Sequence, residues 1–466
     1  MVKNGKAKKR YHKPPKPQHH STPSAAEKNK TITVKTLPAD LVLEILYRTQ
    51  VKALVRCKCV SKSWYALINH PTFIQKHLDF NTSRNTLLIC NFGCDNKLGK
   101  NSQFNDYSRR LIGLLRVTGP PIPLLRVDRH FTNRPNYPKK INFLDFSKRM
   151  FISGSINGIV CLAHYEEMSG RFVALWNPST HYWSPIALKN WDNMSVGFGF
   201  DALQSDYKVI CIVPETRFEN LGWSRVEIYS TNRGSWENVD GKDIIPFWPN
   251  SGLQPCYFIV KGVPYWIGTD VQGRVAYSSI LGRIDPVTGL YKKVMYPSHL
   301  ENEGRVTRVL VNYLKWKDSV AIVVLFPGGD PNQMVDLYVL LDEDTSDWTK
   351  MYSLVPPSLL SDFEGTRVPQ CFSTGEIVFE MWTQNPDIVQ NLDHCICDLE
   401  TGRVFRNNEI EALNPFWHES YSHVESLVCV KGMIQIGKEH KDKKSSPKMK
   451  NWTEFLSKEF ESVLHL

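Results

Sequence analysis

The chain has 466 residues, 42% apolar and 11% aromatic, with a formal net charge of +10, which excludes a single small domain and a wholly disordered chain. The charge sits at the ends: residues 1–36 carry ten Lys/Arg against the single Glu27, and residues 438–450 carry six Lys against Glu439 and Asp442, leaving −3 for the body. A slightly acidic body argues against a phosphate-backbone reader, which needs a basic face to release counterions, so nucleic-acid binding falls to the tails.

Residues 1–35 combine Lys6, Lys8, Lys9 and Arg10 with Pro14, Pro15 and Pro17. That composition buries too little surface to offset ordering entropy, and a disordered basic tail is expected. Its Lys6 to Arg10 cluster is a candidate nuclear-import signal or a merely solubilising run.

From Thr36 the texture changes. Leu41, Ile45 and Leu46 fall at helical spacing behind Pro38, with Asp40 and Glu44 early, where carboxylates suit the helix dipole. A second helix starts near Val51 and carries Ala53, Leu54 and Val55; a third carries Ser63 to Ile68 and stops at Asn69-His70-Pro71. Three short helices within 36–80 make a small core, and a partner covering its remaining apolar surface is physically reasonable.

Beyond residue 85 no helical period persists. Five copies of a turn followed by a large or apolar residue recur: Trp176-Asn177-Pro-Ser-Thr180-His-Tyr-Trp183, Tyr229-Ser230-Thr-Asn-Arg-Gly-Ser-Trp236, Ile284-Asp285-Pro-Val-Thr288-Gly-Leu-Tyr291, Leu341-Asp342-Glu-Asp-Thr345-Ser-Asp-Trp348 and Cys397-Asp398-Leu-Glu-Thr401-Gly-Arg-Val404. Their last residues are 53, 55, 57 and 56 apart. Each copy reads as a β-hairpin whose Asn, Ser or Asp bonds to the backbone just ahead of it. A second marker runs in phase, at Gly158, Asp206, Gly262, Asp318 and Gly375, and lies 19, 24, 23, 24 and 23 residues before the turn-opening residue. A period near 55 holds about four strands, the content of one propeller blade. A further marker at Lys431-Gly432 has no hairpin after it, and strands near Thr86 to Cys90 and Ile112 to Val127 are available to complete that blade. The expectation is an α+β multidomain chain: a three-helix module, an all-β propeller of about six blades over 85–436, a Lys-rich linker over 438–450 and an amphipathic helix over 451–466. That helix aligns Trp452, Phe455, Leu456, Phe460, Val463 and Leu464, and its acidic residues argue against an anionic membrane surface.

Eleven cysteines without regular spacing do not read as a disulfide framework, and the longest apolar run, 320–326, is far short of a membrane span. The expectation is a soluble protein of the nucleus and/or cytoplasm. His394-Cys395-Ile-Cys397 offers three soft ligands but no second pair nearby, and Cys57 and Cys59 do not share a helix face, so no metal and no cofactor is expected. Gly197-Phe-Gly199-Phe precedes a turn and strand rather than a helix and reads as blade packing, not a phosphate loop. His418-Glu419 and His423 lie in no recognisable nucleophile context. Trp223 and Trp417-His418 are rim anchors or core.

Two resemblances sharpen this. Leu37-Pro38, Asp40-Leu-Val-Leu-Glu-Ile-Leu46, Val51-Lys52, Leu54, Arg56, Cys59-Val60-Ser-Lys62-Ser63-Trp64 and Leu67-Ile68 resemble the F-box motif in its plant form, departing from it at Thr49-Gln50, where the family usually has Leu-Pro. Gly154-Ser-Ile-Asn157-Gly158-Ile-Val-Cys161, Leu175-Trp-Asn-Pro-Ser-Thr180, Val196-Gly-Phe-Gly-Phe-Asp201, Asp206-Tyr-Lys-Val209, Val226-Glu-Ile-Tyr-Ser230 and Glu425-Ser-Leu-Val428 resemble the kelch-like, F-box-associated domain of plant F-box proteins. The resemblance implies a non-catalytic receptor that joins a cullin-RING ubiquitin ligase through a Skp-type adaptor and holds a protein target on the propeller. It implies that Leu37, Pro38, Leu41, Ile45, Leu46, Val51 and Leu54 face the adaptor; by their spacing alone, the same residues are equally the core of a helical hairpin. Two other readings stay open: a propeller enzyme with a metal site, and nucleic-acid binding through the basic tails.

Overall fold

The computed structural model describes residues 37–84, 87–94, 109–116, 122–128, 150–164, 172–188, 194–214, 224–238, 244–249, 255–270, 280–295, 297, 310–325, 335–354, 365–372, 375–382, 392–406 and 416–435. The tail 1–35, the linker 438–450 and the expected helix 451–466 lie outside the described residues. The chain divides into two compact units, Met1–Glu44 and Ile45–Leu466.

In the first unit the described residues open α1 (Ala39–Tyr47). The Pro38 carbonyl accepts the Val42 amide at 3.2 Å, and Asp40 stands in the first turn, at the positive end of the helix dipole.

In the second unit Thr49 makes the break that ends α1. Its amide bonds the Leu46 carbonyl at 3.1 Å and its hydroxyl the Ile45 carbonyl at 2.7 Å. Gln50, with φ −56° and ψ 144°, precedes α2 (Val51–Cys57). The break therefore forms without the family's Leu-Pro pair. Ser61 caps α3 (Lys62–Ile68) by accepting the Trp64 amide at 3.2 Å. Asn69-His70-Pro71 ends α3 as expected, but it also starts a fourth helix, α4 (Pro71–Thr82), which corrects the three-helix expectation. The reason is local. Proline suits the first helical position, where no amide hydrogen is needed, and the His70 ring nitrogen accepts the Thr72 amide at 3.3 Å. Phe73, His77 and Leu78 point inward from α4 and are buried.

The rest of the described chain is strand and turn: an all-β propeller. β1 (Leu87–Cys94), β2 (Arg109–Arg116) and β3 (Ile122–Asp128) come first. Five blades of antiparallel strands then follow the repeat. The first holds β4 (Met150–Ile156), β5 (Ile159–His164), β6 (Phe172–Asn177) and β7 (Tyr182–Ala187); the second β8 (Ser195–Asp201), β9 (Asp206–Pro214), β10 (Ser224–Ser230), β11 (Ser235–Asn238) and the short β12 (Ile244–Ile245). The third holds β13 (Phe247–Pro249), β14 (Phe258–Val260), β15 (Val263–Asp270), β16 (Ile280–Ile284) and β17 (Tyr291–Val294). The fourth is β18 (Leu310–Trp316), β19 (Ser319–Leu325), β20 (Val335–Asp342) and β21 (Asp347–Leu354); the fifth is β22 (Gly365–Cys371), β23 (Glu376–Trp382), β24 (Leu392–Asp398) and β25 (Val404–Arg406). Within the blades consecutive strands pair, except that β12 pairs with β10 and both β13 and β14 pair with β15. β26 (Phe416–His423) and β27 (Ile434–Gln435) close the list.

The turns form for the reasons read in the sequence. Asn177 Oδ1 accepts the amides of Ser179 and Thr180 at 2.9 and 3.2 Å; Asp285 Oδ1 accepts those of Val287 and Thr288 at 2.9 and 2.8 Å. Asp398 does the same for Glu400 and Thr401, and Asp342 accepts the Asp344 amide. Between β4 and β5, Asn157 and Gly158 both adopt positive φ, 53° and 81°, the conformation a two-residue hairpin needs.

Closure differs from the expectation. The N-terminal strands do complete a sheet with a C-terminal strand, ordered β26-β1-β2-β3, with Leu87 opposite His423. That strand, however, precedes the marker at Lys431-Gly432. The marker's own strand, β27, pairs with β7 of the first blade, Ile434 opposite Trp183. Residues 424–430 carry the chain from one sheet to the other, and the Asn177 amide fixes them by donating to the Ser426 and Val428 carbonyls at 3.1 and 2.7 Å.

Candidate partner-binding site

The seven residues expected to face a partner separate by burial. In the first unit Leu37, Pro38 and Leu41 are exposed. In the second, Ile45 is 56% exposed, whereas Leu46, Val51 and Leu54 are 4%, 1% and 0% exposed. Those three are core as placed, as a module this small has few apolar side chains to bury. Two exposed apolar side chains were not singled out, Val60 at 67% and Tyr65 at 58%. Val60 precedes the Ser61 cap and Tyr65 lies in the first turn of α3, whose buried residue is Ile68. Trp64 is half-buried.

Beneath that surface the module is held by a polar chain. His77 is fully buried, and its Nε2 lies 2.9 Å from the Thr49 carbonyl. Burial pulls its pKa down, partly countered by that carbonyl. Its Nδ1 lies 3.3 Å from the Asn81 amide nitrogen.

On the propeller, Asp206, His423, Gly197 and Gly199 take structural places. Asp206 is buried; burial would raise its pKa, but hydrogen bonds from Ser230, Lys208, Asn232 and Thr231 hold it below the ordinary carboxylate value. Ser230 Oγ and Thr231 Oγ1 donate to it at 2.6 and 2.8 Å, and Lys208 Nζ lies at 2.9 Å. His423 is buried on β26, bonded through Nδ1 to Ser155 Oγ at 2.8 Å, and burial pulls its pKa down to about 4. Gly197 and Gly199 pack against the next blade: a Cβ on Gly197 would meet Trp266 Cζ2 at 2.3 Å, and one on Gly199 would meet Pro286 Cβ at 2.7 Å.

Cys161, Cys211, Cys256, Cys371 and Cys397 are buried, and burial raises their thiol pKa values. Cys57 is half-buried and Cys59 is exposed. No group of three metal-binding side chains occurs among the described residues. Trp223 lies outside the described residues, as do the side chains of His394, Cys395, Trp417 and His418. Repeat-position tryptophans join blades: Trp236 Nε1 donates to the Ala187 carbonyl and Trp348 Nε1 to that of Met295, both at 2.9 Å.

The family described as the F-box associated beta propeller domain matches residues 128–411, and the F-box domain matches residues 35–76. The chain is 24% identical over 461 residues to the F-box protein CPR1 of Arabidopsis thaliana, spanning 92% of this chain and 100% of that protein. It is 24% identical over 454 residues to the F-box protein At4g22390 of the same species, spanning 92% and 99%. Among solved structures, an oligogalacturonate lyase from Vibrio parahaemolyticus covers 55% of this chain and 77% of its own at 9% identity, with a TM-score of 0.30. That likeness is too low to carry any argument about activity.

Proposed function

Because the chain belongs to the F-box associated beta propeller family and carries an F-box domain ahead of the propeller, we propose that it is the substrate receptor of a Skp–cullin–F-box ubiquitin ligase. The F-box binds a Skp-type adaptor, the propeller holds a protein target, and the ubiquitin chemistry takes place on other subunits. The mechanism is proximity: tethering raises the effective concentration of target lysines at the transferase, so the receptor itself needs no reacting group. The observation that carries this reading is the pairing of both domain matches in one chain with exposed Leu41 and Ile45 on α1. Exposed leucine and isoleucine are unfavourable in water, and a partner that covers them gains their burial energy. Leu37, Pro38, Leu41 and Ile45 are the adaptor-facing residues in this reading.

We read the propeller as six blades, with β26, β1, β2 and β3 as the sixth. What supports this is that β26 lies beside β4 on one side and β22 on the other. A nuclear and/or cytoplasmic site of action follows from the basic Lys6 to Arg10 cluster on the same reading.

The test is co-elution of the full chain with a purified Skp-type adaptor. Leu41→Asp and Ile45→Asp should each weaken the complex by about 2 kcal/mol, roughly 30-fold in Kd, without unfolding the chain. Failure of the unaltered chain to bind the adaptor would overturn the proposal.

A further inference from the structure

α4 ends at Thr82 and β1 begins at Leu87, so within the second unit helices α2 to α4 join the propeller through residues 83–86. Besides the covalent link, the side chain of Asn81 attaches α4 to the propeller. Asn81 Nδ2 lies 3.0 Å from the Glu425 carbonyl and 3.3 Å from His77 Nδ1. One amide nitrogen carries two hydrogens and serves both acceptors. With Nδ1 accepting, the His77 proton sits on Nε2 and is donated to the Thr49 carbonyl 2.9 Å away. The chain of bonds thus runs from the break before α2, through α4, to the backbone of the propeller's connecting segment.

That segment is held just as firmly on its other side. Asn177 of the first blade donates to the Ser426 and Val428 carbonyls at 3.1 and 2.7 Å, and Ser426 Oγ donates to the Asn157 carbonyl at 2.6 Å. A Cβ on Gly158 would meet Ser426 Oγ at 2.3 Å and the Val424 carbonyl at 2.6 Å, so the hairpin tip lies flat against it. Leu427 is 2% exposed. Residues 424–430 are therefore a fixed strap with no regular secondary structure over 424–430, clasped by blade one below and by Asn81 above.

We infer that Asn81 is a positioning residue: through the strap at 424–430 it holds helices α2 to α4 on the first blade, so the receptor presents its target in one orientation. This rests on the receptor reading above. A flexible tether spreads the target over a large volume, whereas a fixed joint concentrates it where transfer occurs.

The test uses the full chain with spin labels on p-acetylphenylalanine at positions 62 and 203, where Lys62 and Leu203 are exposed. The distance distribution should be narrow in the otherwise unaltered protein and broaden about twofold in Asn81→Ala. Asn81→Asp keeps the size but sets an acceptor against the Glu425 carbonyl, and must broaden it likewise. Thr82→Ala, which removes a hydroxyl that donates to the Leu78 carbonyl within the same helix, should leave the width unchanged. Amide exchange at 425–430 should rise about tenfold in both Asn81 variants and not in Thr82→Ala. A broad distribution in the unaltered chain, or widths that ignore Asn81, would overturn the inference. Adaptor co-elution should be the same in all variants. Its absence in the unaltered chain would sink the receptor reading and leave the joint measurement standing, because that measurement needs no adaptor.

Discussion

Gly197 shows how single residues set blade spacing. It sits mid-strand in β8, where glycine costs conformational entropy, yet the space a methyl would occupy is taken by the Trp266 ring. Gly197→Ala must push that indole aside and should destabilise the fold by about 2 kcal/mol, read as a lower urea midpoint at unchanged slope. His423 makes a second residue-level prediction. Its folded pKa, about 4, lies below the ordinary 6.5, so the unfolded chain binds the proton more tightly. Stability is then full above about pH 6.5 and is lost as the pH falls toward 4, by up to on the order of 3 kcal/mol. His423→Gln should flatten that part of the stability curve relative to the unaltered chain, and parallel curves would contradict the assignment. The glycine pair was legible as blade packing, though not the Trp266 and Pro286 it packs against; the histidine read as one more scattered polar residue, because its partner Ser155 lies 268 residues away.

The elements most legible in the sequence are those whose hydrogen bonds close within a few residues. The Asx turns at Asn177, Asp285 and Asp398 place donor and acceptor two or three positions apart, so composition alone announces them. The fourth helix was hidden because Pro71 is at once a stop for α3 and a good first residue for α4. The blade-to-blade clasp was hidden for a different reason. Trp236 and Trp348 mark the repeat, but the carbonyls they bond belong to the preceding blade, Ala187 and Met295. Trp348→Phe keeps the ring and loses the donor, leaving the Met295 carbonyl to find another partner. The expected cost is about 1 kcal/mol, visible as a fall of a few degrees in Tm, with Trp348→Leu costing more because the ring also packs on the core that includes Val294 and Tyr338.

At the scale of the whole molecule the decisive fact is where the chain closes on itself. A period of about 55 residues was readable as blades, but it could not say which strand meets which, because those pairs join residues more than 250 apart: Leu87 with His423, and Trp183 with Ile434. The result is two long-range pairings, β26 on β1 and β27 on β7. The residues matched as the propeller domain, 128–411, omit β1, β2, β26 and β27 and all but the last residue of β3. A fragment cut at those limits leaves β4 and β22 without β26, which neighbours both in the full chain, and leaves the β7 edge unpaired. Open edges pair with other chains. Such a fragment should therefore self-associate in a concentration-dependent way on size exclusion, whereas a fragment spanning 37–435 should elute as a monomer. Adding a peptide of residues 416–435 to the short fragment should not rescue it, because β26 has no β1 to pair with. A stable monomer from 128–411 alone would mean that the terminal strands decorate the propeller rather than close it.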